Sequence, residues 1–291
     1  MSDDLDFSQP APSAKPAAPA APQVPLYIPA VARAFFESTG KEESVPAGTV
    51  FFSENEKASR LLLKRDKMYL LLEGRVALVA KGKTIGEPKV GEIFGEMAAI
   101  SDSPRSATAV AQTACRVISL DDKGFAAALQ KKPEFALMML GTMIMRLRGM
   151  IARLSGVPSA AGSKESRVFD KSLLATLING LGEQAVVRYE KGKIIMVAGQ
   201  AGALMYVVIE GRVAISIRGT VVEMVGAGGI FGEMALIDQS PRAANAVADT
   251  DCALLGINRN VFLKLVKSEP TFGISLLAAM AERLRNTAAS L

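Results

Sequence analysis

The sequence of 291 residues contains no histidine and no tryptophan, and only two cysteines. Without histidine, a serine–histidine catalytic triad is excluded and a principal zinc ligand is missing. No apolar run reaches the length of a membrane span, and the acidic N-terminus lacks the basic and apolar regions of a signal peptide. These absences predict no catalytic residues, no metal site and no membrane span. They favour a cytoplasmic location, where Cys115 and Cys252 would be buried, reduced thiols.

Charge is only weakly biased toward one sign. The net charge is +5, whereas hydrophobic residues make up 49% of the chain. A mild excess of Lys and Arg is not the dense basic patch of a nucleic-acid binder, so no direct nucleic-acid partner is expected. The length suits two domains.

A stretch of twenty residues occurs twice. The first copy, residues 91–110, reads GEIFGEMAAISDSPRSATAV, and the second, residues 228–247, reads GGIFGEMALIDQSPRAANAV. Fourteen of the twenty positions match without a gap. Cys115 and Cys252 follow at the same spacing, which makes them equivalent positions of two repeated domains and unlikely disulfide partners. The repeat therefore predicts two copies of one fold.

Each copy combines residues that suit a nucleotide. Gly95 can adopt a positive φ, and the amides of a helical turn after it would attract an anion. Arg105 presents a charged fork that matches a phosphate, whereas Glu96 can accept hydrogen bonds from sugar hydroxyls. The second copy holds the same three residues as Gly232, Glu233 and Arg242.

The frame F-G-E-M-A followed by S-P-R-x-A resembles the phosphate-binding cassette of the cyclic nucleotide-binding domain family. That family includes the catabolite activator protein, protein kinase A regulatory subunits and cyclic nucleotide-gated channels. The resemblance implies an α+β fold, a β-roll with flanking helices, that binds cAMP or cGMP without another cofactor. It also implies that the glutamates bind the ribose 2′-hydroxyl and the arginines bind the cyclic phosphate. The candidate ligand-binding residues are Gly95, Glu96, Met97, Ala98, Arg105, Ser106, Thr108, Gly232, Glu233, Met234, Ala235, Arg242, Ala243, Asn245 and Thr287.

The two copies differ beside the arginine. In the family, a hydroxyl at this position is associated with guanine, so Ser106 permits cGMP at the first site, whereas Ala243 favours cAMP at the second. The alternative for Ser106 is a hydrogen bond to the backbone of its own turn. Alignment of the closing helices with the activator family expects Met150 and Ile151 to cover the first base, and Thr287 the second.

Four segments are expected along the chain. Residues 1–25 form a disordered, Ala- and Pro-rich arm, which is either a solubilising tail or a tether for a partner. Residues 26–156 form the first domain, 157–167 a linker and 168–291 the second domain. The first domain has seven extra residues within 53–67, whose role is either a partner contact or none.

Local patterns predict several elements. A helix is expected over residues 26–39, with Gly40 at its end, and another from Asp170 to a cap near Gly180. Met68–Leu72 and Val76–Val79 are interpreted as a hairpin-like pair of strands. Long closing helices are expected over 133–154 and from Pro270, the first with an apolar face of Leu140, Met143, Ile144, Leu147, Ile151 and Leu154.

These features favour a tandem cyclic nucleotide sensor that signals to a protein partner by movement of its closing helices. A homodimer is expected, whereas a catalytic or DNA-binding domain is not. One alternative is a self-assembling scaffold with degenerate sites, and another is a receptor for a cyclic dinucleotide. Regulation in the manner of protein kinase A is a weaker prediction, because the arm lacks the Arg-Arg-x-Ser/Ala pseudosubstrate that this resemblance would require.

Overall fold

The computed structural model describes residues 27–57, 66–101, 103–154, 168–182, 185–236 and 241–289. The predicted arm and linker and much of the insertion lie outside the described residues. The same holds for the side chains of 148–154, 234–235, 283 and 286–289.

The first domain begins and ends with helices around eight strands. Its elements are α1 (Pro29–Glu37), β1 (Lys41–Val45), β2 (Val50–Phe52), β3 (Lys67–Glu73), β4 (Val76–Ala80), β5 (Lys83–Gly86), β6 (Ile93–Phe94), α2 (Glu96–Ser101), β7 (Thr108–Ala111), β8 (Cys115–Asp121), α3 (Asp122–Lys131) and α4 (Glu134–Leu154). The first helix is shorter than predicted, because it begins at Pro29, which suits the first turn of a helix.

The second domain repeats this order. Its elements are α5 (Lys171–Leu181), β9 (Val186–Tyr189), β10 (Ile194–Met196), β11 (Met205–Glu210), β12 (Val213–Ile217), β13 (Thr220–Val225), β14 (Ile230–Phe231), a 3-10 turn (Glu233–Leu236), β15 (Asn245–Ala248), β16 (Cys252–Ile257), α6 (Arg259–Ser268) and α7 (Pro270–Ala289). The cassette helix α2 is thus replaced by a 3-10 turn in the second domain.

Each domain contains two antiparallel sheets of four strands. The orders are β1-β8-β3-β6 and β2-β7-β4-β5 in the first domain, and β9-β16-β11-β14 and β10-β15-β12-β13 in the second. The two topologies are the same, strand for strand. The predicted pair of β-rolls with flanking helices is confirmed.

The predicted hairpin-like pair is wrong, because β3 and β4 belong to different sheets. The chain turns between the sheets at Gly74, which has φ +93°. A Cβ there would overlap the Ala114 carbonyl oxygen and lie 2.7 Å from Cys115 Sγ, so the turn requires glycine. Strand β3 is buried on both faces: Leu70 packs toward the helices and Leu71 between the sheets. That two-sided burial explains the unbroken apolar run.

Side-chain caps begin three of the helices. The Asp170 carboxylate accepts a hydrogen bond from the Leu173 amide at 2.8 Å and begins α5. Asp121 and Asn258 do the same for α3 and α6. The predicted end near Gly180 lies two residues early, because α5 continues to Leu181 and its C-cap is Gly182, which has φ +81°.

A cluster of phenylalanine rings joins the helices of each domain. In the first domain Phe35 stacks on Phe135 with 3.7 Å between ring centroids, and Phe125 meets both rings edge-on. Phe169, Phe262 and Phe272 form the corresponding cluster in the second domain. These rings fix the closing helices α4 and α7 to their own domains.

Truncation of the stacked ring is expected to destabilise the first domain. Phe135 is fully buried, so Phe135→Ala should lower the free energy of unfolding by about 3–5 kcal/mol through lost burial and a new cavity. Urea unfolding followed by circular dichroism measures this change. The matched control is Met145→Ala, because Met145 lies on the same helix with an exposed side chain. Equal effects of the two substitutions would contradict the packing described.

One apolar core crosses from the first domain to the second. Helices α4 and α7 pack against each other, and α7 also packs against α2 and α3. Helix α4 in turn contacts the 3-10 turn of the second domain. The buried residues on the two helices include Leu140, Met143, Ile144, Leu147, Leu276, Leu277, Met280 and Leu284. The predicted apolar face of α4 is confirmed as far as Leu147, and it is covered within one chain.

Cys115 and Cys252 are free and buried. Within the described ranges, no helix combines the length and apolarity that a bilayer crossing requires. No group of three His, Cys, Asp or Glu residues is arranged to hold a metal ion in the same part of the chain.

Candidate functional site

The two repeated stretches, residues 91–110 and 228–247, are called the first and second cassettes. Each begins at a glycine whose carbonyl oxygen is held by the residues just before the first helix of its domain. The Tyr27 hydroxyl donates to the Gly91 carbonyl oxygen at 2.7 Å. The amides of Val168 and Phe169 donate to the Gly228 carbonyl oxygen at 2.8 and 2.9 Å. Burial, with the charges of Glu92 and Glu96, raises the pKa of Tyr27, which therefore remains a neutral donor.

The glycine before each glutamate has the predicted positive φ. Gly95 has φ +77° and Gly232 has φ +73°. A Cβ on Gly95 would lie 3.1 Å from Arg105 Nη1, and one on Gly232 would lie 2.8 Å from Arg242 Nη1. The glycines therefore serve two purposes: they turn the chain, and they let a guanidinium lie against the backbone.

The Arg105 guanidinium is buried, with 4% of the residue exposed. Its Nη1 donates to the Gly95 carbonyl oxygen at 2.6 Å, and its Nη2 donates to the Lys67 carbonyl oxygen at 2.8 Å. Asp66 forms an ion pair with Nη2 at 3.1 Å, and the Phe52 ring lies beneath the guanidinium, 4.1 Å from Cζ to the ring centroid. Burial lowers the pKa of Arg105, and Asp66 opposes that shift. Among the residues that the structure describes, Nε is buried without a hydrogen-bond partner.

An unpaired buried donor is costly, because it has lost water without gaining an acceptor. The Arg105 backbone is itself fixed: its carbonyl oxygen accepts from the Asn55 amide at 2.8 Å, and its amide donates to the Glu56 carbonyl oxygen at 2.9 Å. Gly199 and Gln200 make the same two bonds to Arg242. Each arginine is therefore held by main-chain pairs, and Arg105 keeps a donor for a further acceptor.

The second arginine has different neighbours. Arg242 Nη1 donates to the Gly232 carbonyl oxygen at 3.0 Å, and its Cζ lies 6.0 Å from the Tyr206 ring centroid. Burial lowers the pKa of Arg242, and Tyr206 and Glu233 oppose that shift. The position equivalent to Asp66 is Ala203, so among the described residues the ion pair of the first site has no counterpart there. The guanidinium packs instead against Gly202, where a Cβ would overlap it.

Glu96 is the first residue of α2, and 7% of it is exposed. Its Oε1 lies 3.2 Å from Nη1 of Arg146 on α4, so the cassette and the closing helix are joined at this carboxylate. The pair borders a cleft of about 150 Å³, which Tyr27, Met139, Thr142 and Met143 also line. Within the first cassette Met97 is partly buried and Ala98 is buried. Glu233 begins the 3-10 turn, whereas the side chains of Met234 and Ala235 lie outside the described residues.

The other predicted residues fall into three groups. Ser106 and Ala243 are exposed beside their arginines. Thr108 and Asn245 support the neighbouring loop, because Thr108 Oγ1 accepts from the Glu54 amide at 2.9 Å and Asn245 Oδ1 accepts from the Ala198 amide at 2.8 Å. The side chains of Met150, Ile151 and Thr287 lie outside the described residues.

Three contacts at the first site were not predicted from the sequence. Asp66 precedes β3 and Lys67 is the first residue of this strand, and no repeated motif marks either of them. Arg146 did carry a signal, since Arg283 occupies the same place in the second closing helix. Helix α7 packs against α2 of the first cassette, whereas the sequence alignment expected α4 alone over that site.

The sequence is similar to known cyclic nucleotide proteins. It is 28% identical over 187 residues to a cAMP-dependent protein kinase regulatory subunit of Aspergillus niger, which covers 64% of this chain and 41% of that protein. It is 35% identical over 102 residues to the cyclic AMP receptor protein of Thermus thermophilus, which covers 33% and 47%. A cGMP-dependent protein kinase of Caenorhabditis briggsae is 24% identical over 243 residues, which covers 80% and 30%. The chain spans less than half the length of these relatives.

Solved structures and a family model extend this comparison. The regulatory domain of Toxoplasma gondii PKA with cAMP matches 90% of this chain and 95% of its own, at 20% identity and a TM-score of 0.31. The Thermus thermophilus catabolite activator protein matches 39% and 60%, at 31% identity and a TM-score of 0.34. The cyclic nucleotide-binding domain model matches residues 42–132 and again 186–269, which is more than half of the chain. The chain therefore belongs to the cyclic nucleotide-binding domain family, with two such domains in tandem.

Proposed function

We propose that the chain binds one cyclic nucleotide in each cassette and acts as a regulatory sensor without catalytic activity of its own. The observation that carries this proposal is the buried Arg105 guanidinium beside a buried carboxylate, Glu96. In the described part of the chain, its Nε has no hydrogen-bond partner. A cyclic phosphate carries one negative charge and accepts hydrogen bonds from a guanidinium. The adjacent ribose offers a hydroxyl donor that suits Glu96. The second cassette presents Arg242 and Glu233 for the same two tasks.

We propose cAMP as the principal ligand. Ala243 offers no hydroxyl beside the second arginine, whereas Ser106 leaves cGMP possible at the first site. Relatives described as cAMP-dependent and as cGMP-dependent both support this class of ligand. Gly95, Met97 and Ala98, with Gly232, Met234 and Ala235, would form the backbone wall around the phosphate. Thr108 and Asn245 would hold the wall by their bonds to the preceding loop, and Thr287 would approach the second base.

The second site can be disabled from outside its cassette. Gly202→Ala places a methyl group where the Arg242 guanidinium packs, so this side chain must move from its bond to Gly232. We expect a loss of cAMP affinity at the second site of about tenfold or more, with the first site unchanged. Competition binding with a fluorescent cAMP analogue measures both sites. Gly180→Ala is the control, because a Cβ at Gly180 meets nothing within 4 Å; an equal effect of the two changes would contradict the packing.

Helices α4 and α7 would transmit the effect of ligand binding to a protein partner. Helix α4 reaches the first ligand site through Arg146 and Glu96, and α7 packs on α2 of the same cassette. A ligand that binds one arrangement of these helices more tightly shifts the population toward it, which would change the surface shown to a protein partner. A homodimer, as the sequence suggested, would need surfaces other than the faces that α4 and α7 bury in one chain. A cytoplasmic location is part of the same proposal.

Competition binding distinguishes the hypotheses for the ligand and for the class of protein. We expect cAMP to displace a fluorescent cAMP analogue from nucleotide-free protein, and linear 5′-AMP to displace it at least about 100-fold less well. Displacement by cyclic di-GMP with one ligand per chain would favour the dinucleotide receptor. No binding by folded protein, together with unchanged assembly in Arg105→Ala/Arg242→Ala, would favour the scaffold.

A further inference from the structure

A chain of polar contacts lies behind Arg105. The Lys67 carbonyl oxygen accepts from Arg105 Nη2 at 2.8 Å, and the adjacent Asp66 forms the ion pair with the same nitrogen. The ammonium group of Lys67 donates to Glu43 Oε1 at 2.9 Å. The Ser119 hydroxyl donates to that same oxygen at 2.6 Å. Glu43, Lys67 and Ser119 are called the Glu43 tether.

The tether connects the first site to the sheet β1-β8-β3-β6. Glu43 lies in the middle of β1, Ser119 on β8, and Lys67 is the first residue of β3, where the chain enters the sheet after the insertion. Ser119 is 4% exposed, so its hydroxyl depends on this acceptor. The position of the Lys67 carbonyl, and therefore of the Arg105 fork, is thus tied to the two central strands and the edge strand β1.

The carboxylate of the tether stays charged near neutral pH. Burial raises the pKa of Glu43, but the hydrogen bonds from Ser119 and Lys67, together with the charges of Lys67 and Lys41, outweigh burial, so the pKa lies below its ordinary value. An ion pair with a partly exposed lysine contributes little to overall stability. The ion pair between Glu43 and Lys67 matters here for geometry, because it fixes Lys67, whose carbonyl oxygen holds Arg105.

The described residues of the second domain form no such tether. In the strand register, Val187 takes the place of Glu43 and Gly256 the place of Ser119. Leu204 takes the place of Lys67, and among the residues that the structure describes its carbonyl oxygen accepts no bond from Arg242. The two sites of one chain therefore differ in how the phosphate-binding arginine is supported, although their cassettes are nearly the same.

We propose that Glu43 is a positioning residue of the first nucleotide site. Through Lys67 it holds Nη2 of Arg105 against the protein, which leaves Nε as the donor directed at the phosphate. This inference rests on the proposed function. Preorganised donors bind more tightly than donors that must first be ordered, so loss of the tether should weaken the first site and leave the second unchanged.

The test isolates each site in the full chain. In an Arg242→Ala background, where only the first site binds, Glu43→Gln should weaken cAMP binding about tenfold by titration calorimetry. In an Arg105→Ala background, where only the second site binds, Glu43→Gln should have no effect. Ser119→Ala removes a second contact to the same oxygen and should weaken only the first site in the same way. The matched control is Glu42→Gln, because Glu42 is exposed on the same strand and pairs with Arg116.

A spectroscopic readout separates positioning from general destabilisation. In arginine-selective ¹⁵N spectra, the Nε–H resonance that Arg105→Ala removes should shift in Glu43→Gln and stay in place in Glu42→Gln. The Arg242 resonance should not move in either variant. An unchanged first-site affinity, or equal losses at both sites, would overturn the proposal. Absence of cAMP binding in the Arg242→Ala chain with Glu43 intact would instead refute the proposed first site, and the tether's role with it.

Discussion

Arg105→Ala is expected to remove one of two cAMP-binding events, and Arg242→Ala the other. Each substitution deletes the only guanidinium of its cassette, and truncation of a buried charged partner costs about 2–5 kcal/mol. We therefore expect affinity at the altered site to fall by about 100-fold or more. Calorimetric titration of each variant should yield one equivalent of cAMP per chain, and the double variant none.

Two controls accompany these variants. Arg105→Ala removes the ion pair between Arg105 and Asp66, so the thermal unfolding midpoint of each variant must be compared with that of the parent. Arg116→Ala removes an exposed arginine that pairs with Glu42 and Glu73 on the sheet surface, and should bind two equivalents. Two equivalents retained by a folded Arg105→Ala/Arg242→Ala chain would contradict the assignment of both arginines.

Glu96→Gln is expected to weaken cAMP at the first site by about 10–100-fold. A hydrogen bond to a charged group contributes about 1.5–3 kcal/mol, and Glu96 is buried where the ribose would lie. A double-mutant cycle tests this contact. One change is Glu96→Gln, and the other is the removal of the 2′-hydroxyl from the ligand. With the parent first site, measured in the Arg242→Ala background, 2′-deoxy-cAMP should bind much less tightly than cAMP. With Glu96→Gln the difference between the two ligands should largely disappear.

The neighbouring carboxylate is the control for this cycle. Glu92 lines the same cleft and accepts a hydrogen bond from the Lys89 amide, so Glu92→Gln should retain the full penalty for 2′-deoxy-cAMP. If the penalty were as large with Glu96→Gln as with the parent site, Glu96 would not contact the 2′-hydroxyl. The carboxylate would then act only through its ion pair with Arg146.

The repeated cassette made much of the architecture predictable. A glycine followed by Glu and later Pro-Arg, found twice at one spacing, predicted two domains of the same fold and the positive φ of Gly95 and Gly232. Local helix signals also worked where a side chain caps the first turn, as at Asp170. Periodicity failed for Met68–Leu72, because an apolar run does not reveal whether the next strand pairs with it or joins the opposite sheet.

The long-range contacts of the first site were not predictable from one sequence. Asp66, Lys67 and Glu43 are polar residues without a motif, and only the pairing of β1, β8 and β3 brings them behind Arg105. The packing of α7 on α2 was missed for a related reason. The repeat assigns each closing helix to its own domain, whereas burial of the apolar faces of α4 and α7 draws the two helices together.

Equilibrium dialysis of nucleotide-free protein against labelled cAMP tests the central claim most directly. It measures the number of bound cAMP molecules per chain itself, and does not depend on a binding heat or a fluorescence change. Because each cassette contains both its glutamate and its arginine, we predict saturation at two cAMP per chain. Either arginine substitution should reduce this number to one. Saturation at one would contradict the claim that both cassettes bind. No bound cAMP at millimolar concentration, in protein shown to be folded, would contradict the account of the sites as a whole.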